Sequence, residues 1–155
     1  MKRLHLSSIL ASKRPSELKV GEVMTPDPLT LGPGDRLSEA WAMMEQRRFM
    51  HIPIVKDGKL VGRLTERHVR DAMPSILLLT DPASRLKALE VTRVHQVWIP
   101  EPRTASPSDD LRSAIRTMRT VKAGSLPVVD GDRLIGILTA GDLLSLLEAL
   151  LALQR

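Results

Sequence analysis

The apolar positions of this chain change rhythm most clearly between Leu126 and Leu144. Val128 and Val129 close a β-rich run, and Asp130 with Gly131 supplies turn chemistry. Leu134 to Leu138 is a second apolar run broken by Gly136, after which Thr139 opens a helix with Asp142 in its first turn. An Asp-Gly pair between two such runs predicts a β-hairpin. The stretch from Ile52 to Val69 repeats the pattern 74 positions earlier, with Pro53, Gly62 and Thr65 answering Pro127, Gly136 and Thr139.

The correspondence extends upstream without a gap. Pro26, Pro28, Thr30, Pro33, Asp35, Leu37, Ala40 and Met44 recur as Pro100, Pro102, Thr104, Pro107, Asp109, Leu111, Ala114 and Met118. The chain is therefore a tandem repeat, and two copies are too few for a solenoid. They are expected to bury apolar faces against each other.

Read in order, residues 1–19 form an N-terminal arm, expected to be loosely held, in which Ile9 and Leu10 could sit on a short helix packed against the domain. The first repeat spans 20–73. Its prolines keep Thr25 to Pro28 extended, and Leu29 to Leu31 is a short strand candidate. Asp35 is placed to cap a helix reaching about Arg47, with Leu37, Ala40, Trp41 and Met44 at helical spacing. Phe49 to Val55 and Leu60 to Leu64 predict strands, and Glu66 to Met73 a helix. Residues 74–93 are a linker in which Asp81-Pro82 predicts a helix start. The second repeat, 94–155, copies the first and ends in a Leu-rich helix over Ala140 to Leu153. One side of that helix is expected to stay exposed, as a surface for a partner or a second copy of the chain.

Composition narrows the classes. The 155 residues are enough for a substantial core, and 43% hydrophobic content excludes wholesale disorder. The chain has no Cys, which removes disulfides and thiol chemistry and fits a cytoplasmic setting. No apolar run approaches the roughly 20 residues of a membrane span. Asn is absent and Gln scarce, as in a thermophile, although a GC-rich genome would also favour Arg and Pro. The net charge of +5 permits a nucleic-acid partner, but the basic residues are dispersed and aromatics are only 2%, so stacking platforms are missing and nucleic acid is not expected. The histidines show no metal-ligand spacing. No nucleophile motif, HExxH or phosphate loop is present, so catalysis is not expected.

The motifs VMTPDPLTL, LPVVD and GILTAGDLL resemble the opening, middle and closing motifs of the CBS-domain family, in which paired repeats form a regulatory (Bateman) module. The resemblance covers nearly everything from Val20 to Leu147. The layout is also similar to AcuB-type proteins linked to acetoin utilisation. It implies an α/β (α+β) fold, a β-α-β-β-α unit in each repeat, and a pseudo-twofold pair. It further implies clefts for AMP, ADP, ATP or S-adenosylmethionine, each built from the closing motif of one repeat and the opening and middle motifs of the other.

On that pattern the intact halves meet in one cleft: Gly21 to Pro26, including Thr25 and Pro26, with Phe49, Met50, His51, Thr139 and Asp142. Asp142 can accept from both ribose hydroxyls, and the N-terminus of the last helix favours anions. Phe49 and Met50 could flank an adenine, with backbone near His51 and Ile52 reading its edge; ordinary strand packing explains them equally. Thr139-x-x-Asp142 is equally a capping box. The degraded halves meet in a second, weaker cleft. There Trp98-Ile99-Pro100 has lost the opening hydroxyl and His68 replaces the closing Asp, beside Thr65, Ala123 and Ser125. Arg47, Arg48 and Arg133 are phosphate candidates. The expected function is a non-catalytic sensor, without cofactor or metal, that signals through a homodimer or a regulated protein partner. The alternative is an interaction module whose clefts bind nothing.

Overall fold

The structure is a computed structural model that describes residues 2–47, 50–75, 77–78 and 81–153. Its helices are α1 (Lys2–Ser12), α2 (Val20–Val23), α3 (Leu37–Arg47), α4 (Glu66–Ala72), α5 (Pro82–Val91), α6 (Leu111–Thr120) and α7 (Ala140–Leu153). Its strands are β1 (Thr25–Pro26), β2 (His51–Lys56), β3 (Lys59–Thr65), β4 (Ile99–Pro100), β5 (Ser125–Asp130) and β6 (Arg133–Thr139). Each repeat thus runs β-α-β-β-α, an α+β arrangement, as the family resemblance implies.

The chain divides into two compact units, Met1–Pro28 with Arg103–Arg155, and Leu29–Pro102. These units do not follow the order of the sequence repeats. In the first, β1 pairs antiparallel with β6, setting Thr25 opposite Ile137 and Pro26 opposite Gly136. In the second, β4 pairs with β3, setting Ile99 opposite Arg63 and Pro100 opposite Gly62. Each opening strand therefore joins the return strand of the other repeat. The segments after it go back to their own repeat: Leu31 bridges Ile54, and Ala105 bridges Val128.

Both hairpins keep the 74-residue correspondence, with the same register shift after Ile54 and after Val128. Their turns differ. Asp57 and Gly58 both have positive φ (50° and 77°), whereas in the second hairpin Gly131 has φ 64° and joins Asp132 between Asp130 and Arg133. The two central residues of that loop are thus Gly131 and Asp132, one position beyond the Asp130-Gly131 pair expected from sequence. A glycine at the first central position suits a mirror-image turn whose twist matches the strands.

Each unit has its own apolar core. Leu18, Val20, Val23, Leu111, Ala114, Met118, Leu126, Val128 and Leu138 are among the buried residues of the first. Leu37, Ala40, Met44, Ile52, Ile54, Leu64, Val69, Leu89 and Val94 form the second. The apolar residues of α3 and α6 recur every three or four positions, and that stripe meets the core.

Three local expectations change. Asp35 does not cap α3; its carboxylate accepts from the backbone of Gly32 at 2.6 Å and closes the preceding turn, while the Leu37 amide donates to the Thr92 carbonyl. In the second repeat the equivalent Asp109 likewise accepts from Ser106, and the next residue, Asp110, caps α6 through Ser113. Of Leu29 to Leu31 only Leu31 forms a bridge, because the turn at Gly32 ends the extension. The N-terminal arm is a helix packed on α7, with Leu6 1% exposed and Ile9 and Leu10 against the same core. Its apolar spacing gives it a face to bury, and Leu143, Leu146 and Leu150 belong to the core that receives it. Other leucines of α7 stay exposed: Leu144, Leu147, Leu151 and Leu153 are each more than half exposed.

Asp81 caps α5 through the amides of Ala83 and Ser84, with Pro82 in the first helical position. Of the apolar stretch before it, Leu77 and Leu78 are exposed, while Ile76 and Leu79 lie outside the described residues.

Candidate functional site

The candidate site grows out of the end of β6. At Thr139 the strand stops and α7 begins, leaving the first amides of the helix without intrahelical acceptors. Thr139 and Asp142 satisfy them reciprocally. The Asp142 amide donates to Thr139 Oγ1 at 3.2 Å, and the Thr139 amide donates to Asp142 Oδ2 at 2.8 Å. The Thr139 hydroxyl also donates to that oxygen at 2.9 Å. The capping box read from the spacing is therefore present.

The capping box uses only one carboxylate oxygen. The other, Oδ1, accepts from the Thr25 hydroxyl at 3.0 Å. Thr25 sits there because β1 pairs with β6 across Ile137, and Met24 packs over Gly136, where an added Cβ would overlap its thioether. The contact joins residues 117 positions apart and contributes nothing to capping. Asp142 is 5% exposed, one of few buried charged residues among those described. This buried carboxylate holds a protein hydroxyl on each oxygen, and with about four acceptor sites a carboxylate can accept from paired hydroxyls.

The matching place in the other unit has different chemistry. Thr65 and His68 reproduce the reciprocal cap: the His68 amide donates to Thr65 Oγ1 at 3.4 Å and the Thr65 amide to His68 Nδ1 at 3.2 Å. His68 thus serves as a neutral acceptor, and burial, then Arg63, holds its pKa below the usual histidine value. The opening strand brings Ile99, without a hydroxyl, opposite Arg63. Trp98 packs over Gly62 as Met24 does over Gly136. His51 pairs with Thr65 and shares a sheet face with Arg63. Burial, then Arg63 and His68, pushes the His51 pKa down to about 4, and its buried Nδ1 has no hydrogen-bond partner among the described residues.

Of the residues expected in the better cleft, the first unit brings together Thr25, Thr139 and Asp142, with Pro26 exposed beside Thr25. Met50 and His51 belong to the other unit, and Phe49 lies outside the described residues. Of the weaker set, Ile99, Thr65 and His68 lie in the second unit, and Ala123 and Ser125 in the first. Arg47 and Arg133 are exposed, and Arg48 lies outside the described residues. Sequence reasoning passed over Arg63. The signal was available: a charge stands in GRLT where the other repeat has Ile137 in GILT. Among the described residues no cluster of His, Asp or Glu could hold a metal, and no helix is long and apolar enough to cross a membrane.

The CBS-domain family model matches residues 20–75 and 99–149. The chain is 32% identical over 130 residues to a CBS domain-containing protein of Dictyostelium discoideum, covering 83% of this chain and 90% of that one. It resembles the crystal structure of a candidate acetoin utilization protein (AcuB) from Vibrio cholerae with a TM-score of 0.73 and 32% identity, over 88% and 95% of the two chains. CBSX2, solved in complex with AMP, resembles it with a TM-score of 0.69 and 26% identity, over 88% of this chain and 98% of that one. The chain also matches the homoserine O-acetyltransferase of Methanohalobium evestigatum at 30% identity, but spans only 25% of that enzyme. The chain belongs to the CBS-domain family and carries two CBS domains in tandem.

Proposed function

We propose that this chain is a non-catalytic regulatory module that binds an adenosine-containing ligand (AMP, ADP, ATP or S-adenosylmethionine) and passes the binding event to a second copy or to a partner protein. The observation that carries the reading is the Thr25–Asp142 hydrogen bond. It engages the second oxygen of a capping carboxylate with a hydroxyl from a distant motif, the contact a ribose hydroxyl would join or replace. The AMP complex of CBSX2 supports the ligand class. The likeness to the Vibrio cholerae protein supports a link to acetoin utilisation. A ligand shifts the module only by its differential affinity for two states. The exposed leucines of α7 are the surface through which a homodimer would respond. A cytoplasmic setting fits this role.

The test is a thermal-shift series with AMP, ADP, ATP and S-adenosylmethionine on the wild type, Asp142→Ala and Thr25→Val. A ligand at about 100 times its Kd stabilises by about 2.7 kcal/mol, which for a chain of this size is a shift of roughly 5–10 °C. Thr25→Val keeps the capping box, so a ligand shift lost in both variants identifies the site. Flat curves for all four ligands would leave the second reading, an interaction module. The capping bonds of Thr65 with His68 and of Thr139 with Asp142 give these residues a purely structural role, which favours that alternative.

A further inference from the structure

Helix α6 presents Arg112, Arg116 and Arg119 to solvent, and none of the three has an acidic partner among the described residues. At 3.6 residues per turn they fall within an arc of about 60°, rising roughly 6 Å and then 4.5 Å along the axis. In the linear sequence they are interleaved with apolar residues; the helix turns Leu111, Ala114 and Met118 inward and collects the arginines outside. Lys122, just beyond the helix, is also exposed. The internal repeat provides a control. At the matching positions α3 carries Ser38, Ala42 and Glu45, so the stripe is not a requirement of the fold.

We infer that this face of α6 binds the phosphate backbone of duplex nucleic acid. Arginine forks pair bidentately with phosphate, and the adjoining hydroxyls of Ser113 and Thr120, both exposed, can donate to the same oxygens. The face lacks the aromatic or aliphatic anchors that a protein interface needs at its centre, because the large apolar residues of α6 face the core. For the same reason it cannot insert into a lipid surface. Helix α6 carries no aromatic ring, which excludes a single-strand stacking platform on this face but not backbone contact to a duplex. Asp109 and Asp110, at the start of the helix, each accept a backbone amide and limit the contact to the arginine end.

The test is fluorescence anisotropy of the full chain with a labelled duplex DNA of about 20 base pairs, between about 50 and 200 mM salt. Three phosphate contacts predict micromolar-range binding at the lower salt and a loss of about forty-fold at the higher. The variant Arg112→Ser/Arg116→Ala/Arg119→Glu copies α3 and should lose at least ten-fold while keeping its melting temperature and its response to AMP. If that triple variant melts early, Arg116→Ala alone should lower the salt slope by about one. The inference is overturned if the wild type does not bind at the lower salt, or if the variants bind as the wild type does. It is also overturned if anionic vesicles or polyglutamate bind as tightly as the duplex.

Discussion

The two units are built on one plan and finished with different chemistry. In the first, the opening strand delivers Thr25 to Asp142, and a carboxylate that caps α7 has a second oxygen engaged by a hydroxyl. In the second, the same strand delivers Ile99, and His68 caps α4 with a ring nitrogen. The cap survives the exchange because it needs only an acceptor. The acceptor pair that would hold two hydroxyls does not survive it. Capping therefore asks less of this position than the contact with Thr25 does, and the second unit meets only the demand of capping.

The largest expected effect comes from making the first unit like the second. Asp142→His should retain the cap, hold the melting temperature within a few degrees, and abolish the AMP-induced shift. The converse pair, Ile99→Thr with His68→Asp, should raise the calorimetric stoichiometry from one ligand per chain to two. A stoichiometry of two in the wild type would remove the functional distinction between the units.

The glycines under the opening segments separate the units by rigidity. An added Cβ at Gly62 meets the rigid indole ring of Trp98, whereas at Gly136 it meets the flexible end of Met24 and, less closely, the Thr25 carbonyl. Overpacking of this kind costs about 1–3 kcal/mol. Gly62→Ala should fall near the upper end and Gly136→Ala near the lower, because a thioether can rotate away. Urea midpoints would show it, and equal costs would mean that Trp98 yields as readily as Met24.

Acid should act mainly on the second unit. His51 has a folded pKa of about 4, below its ordinary value of 6.5, and that of His68 is also lowered. The unfolded chain therefore binds more protons than the folded one between about pH 6.5 and 4. Stability falls as pH drops through that window and, for His51, levels off below it. His51→Gln should flatten the fall measured by urea denaturation at pH 7 and pH 4.5. An unchanged slope would show that His51 is hydrated enough to titrate normally.

The smallest effect is structural. Thr25→Val should cost about 1.5 kcal/mol, the low end for one hydrogen bond to a charged group. The cost should vanish in an Asp142→Ala background; a cost that persists there would belong to Thr25 packing instead.

Much of this could be read from the chain before folding. The hairpins, α7 and the Asp81-Pro82 start of α5 are local: their signals lie within a few residues of the bonds they predict. The capping box was legible for the same reason, since Thr139 and Asp142 lie three positions apart. Asp35 misled because an aspartate before a helix can close the preceding turn instead of capping, and the two differ by a side-chain rotation that spacing does not encode. The helix at residues 2–12 was underrated because its stability comes from α7, far along the chain.

By itself, the amino-acid sequence determined the duplication, the order of elements, the inward face of each helix and the residues available to each site. Only the tertiary structure decided which partner each opening strand would take. The two repeats carry nearly the same apolar pattern, so pairing a strand within its own repeat or with the other satisfies periodicity equally. Family resemblance, rather than that pattern, placed Thr25 and Asp142 in one cleft. The fold sets the hydroxyl of Thr25 3.0 Å from Asp142, puts Arg63 on the sheet face of His51, and gathers three scattered arginines on one side of α6. Each is a relation between side chains that become neighbours only when backbone hydrogen bonds and helical turns bring them together.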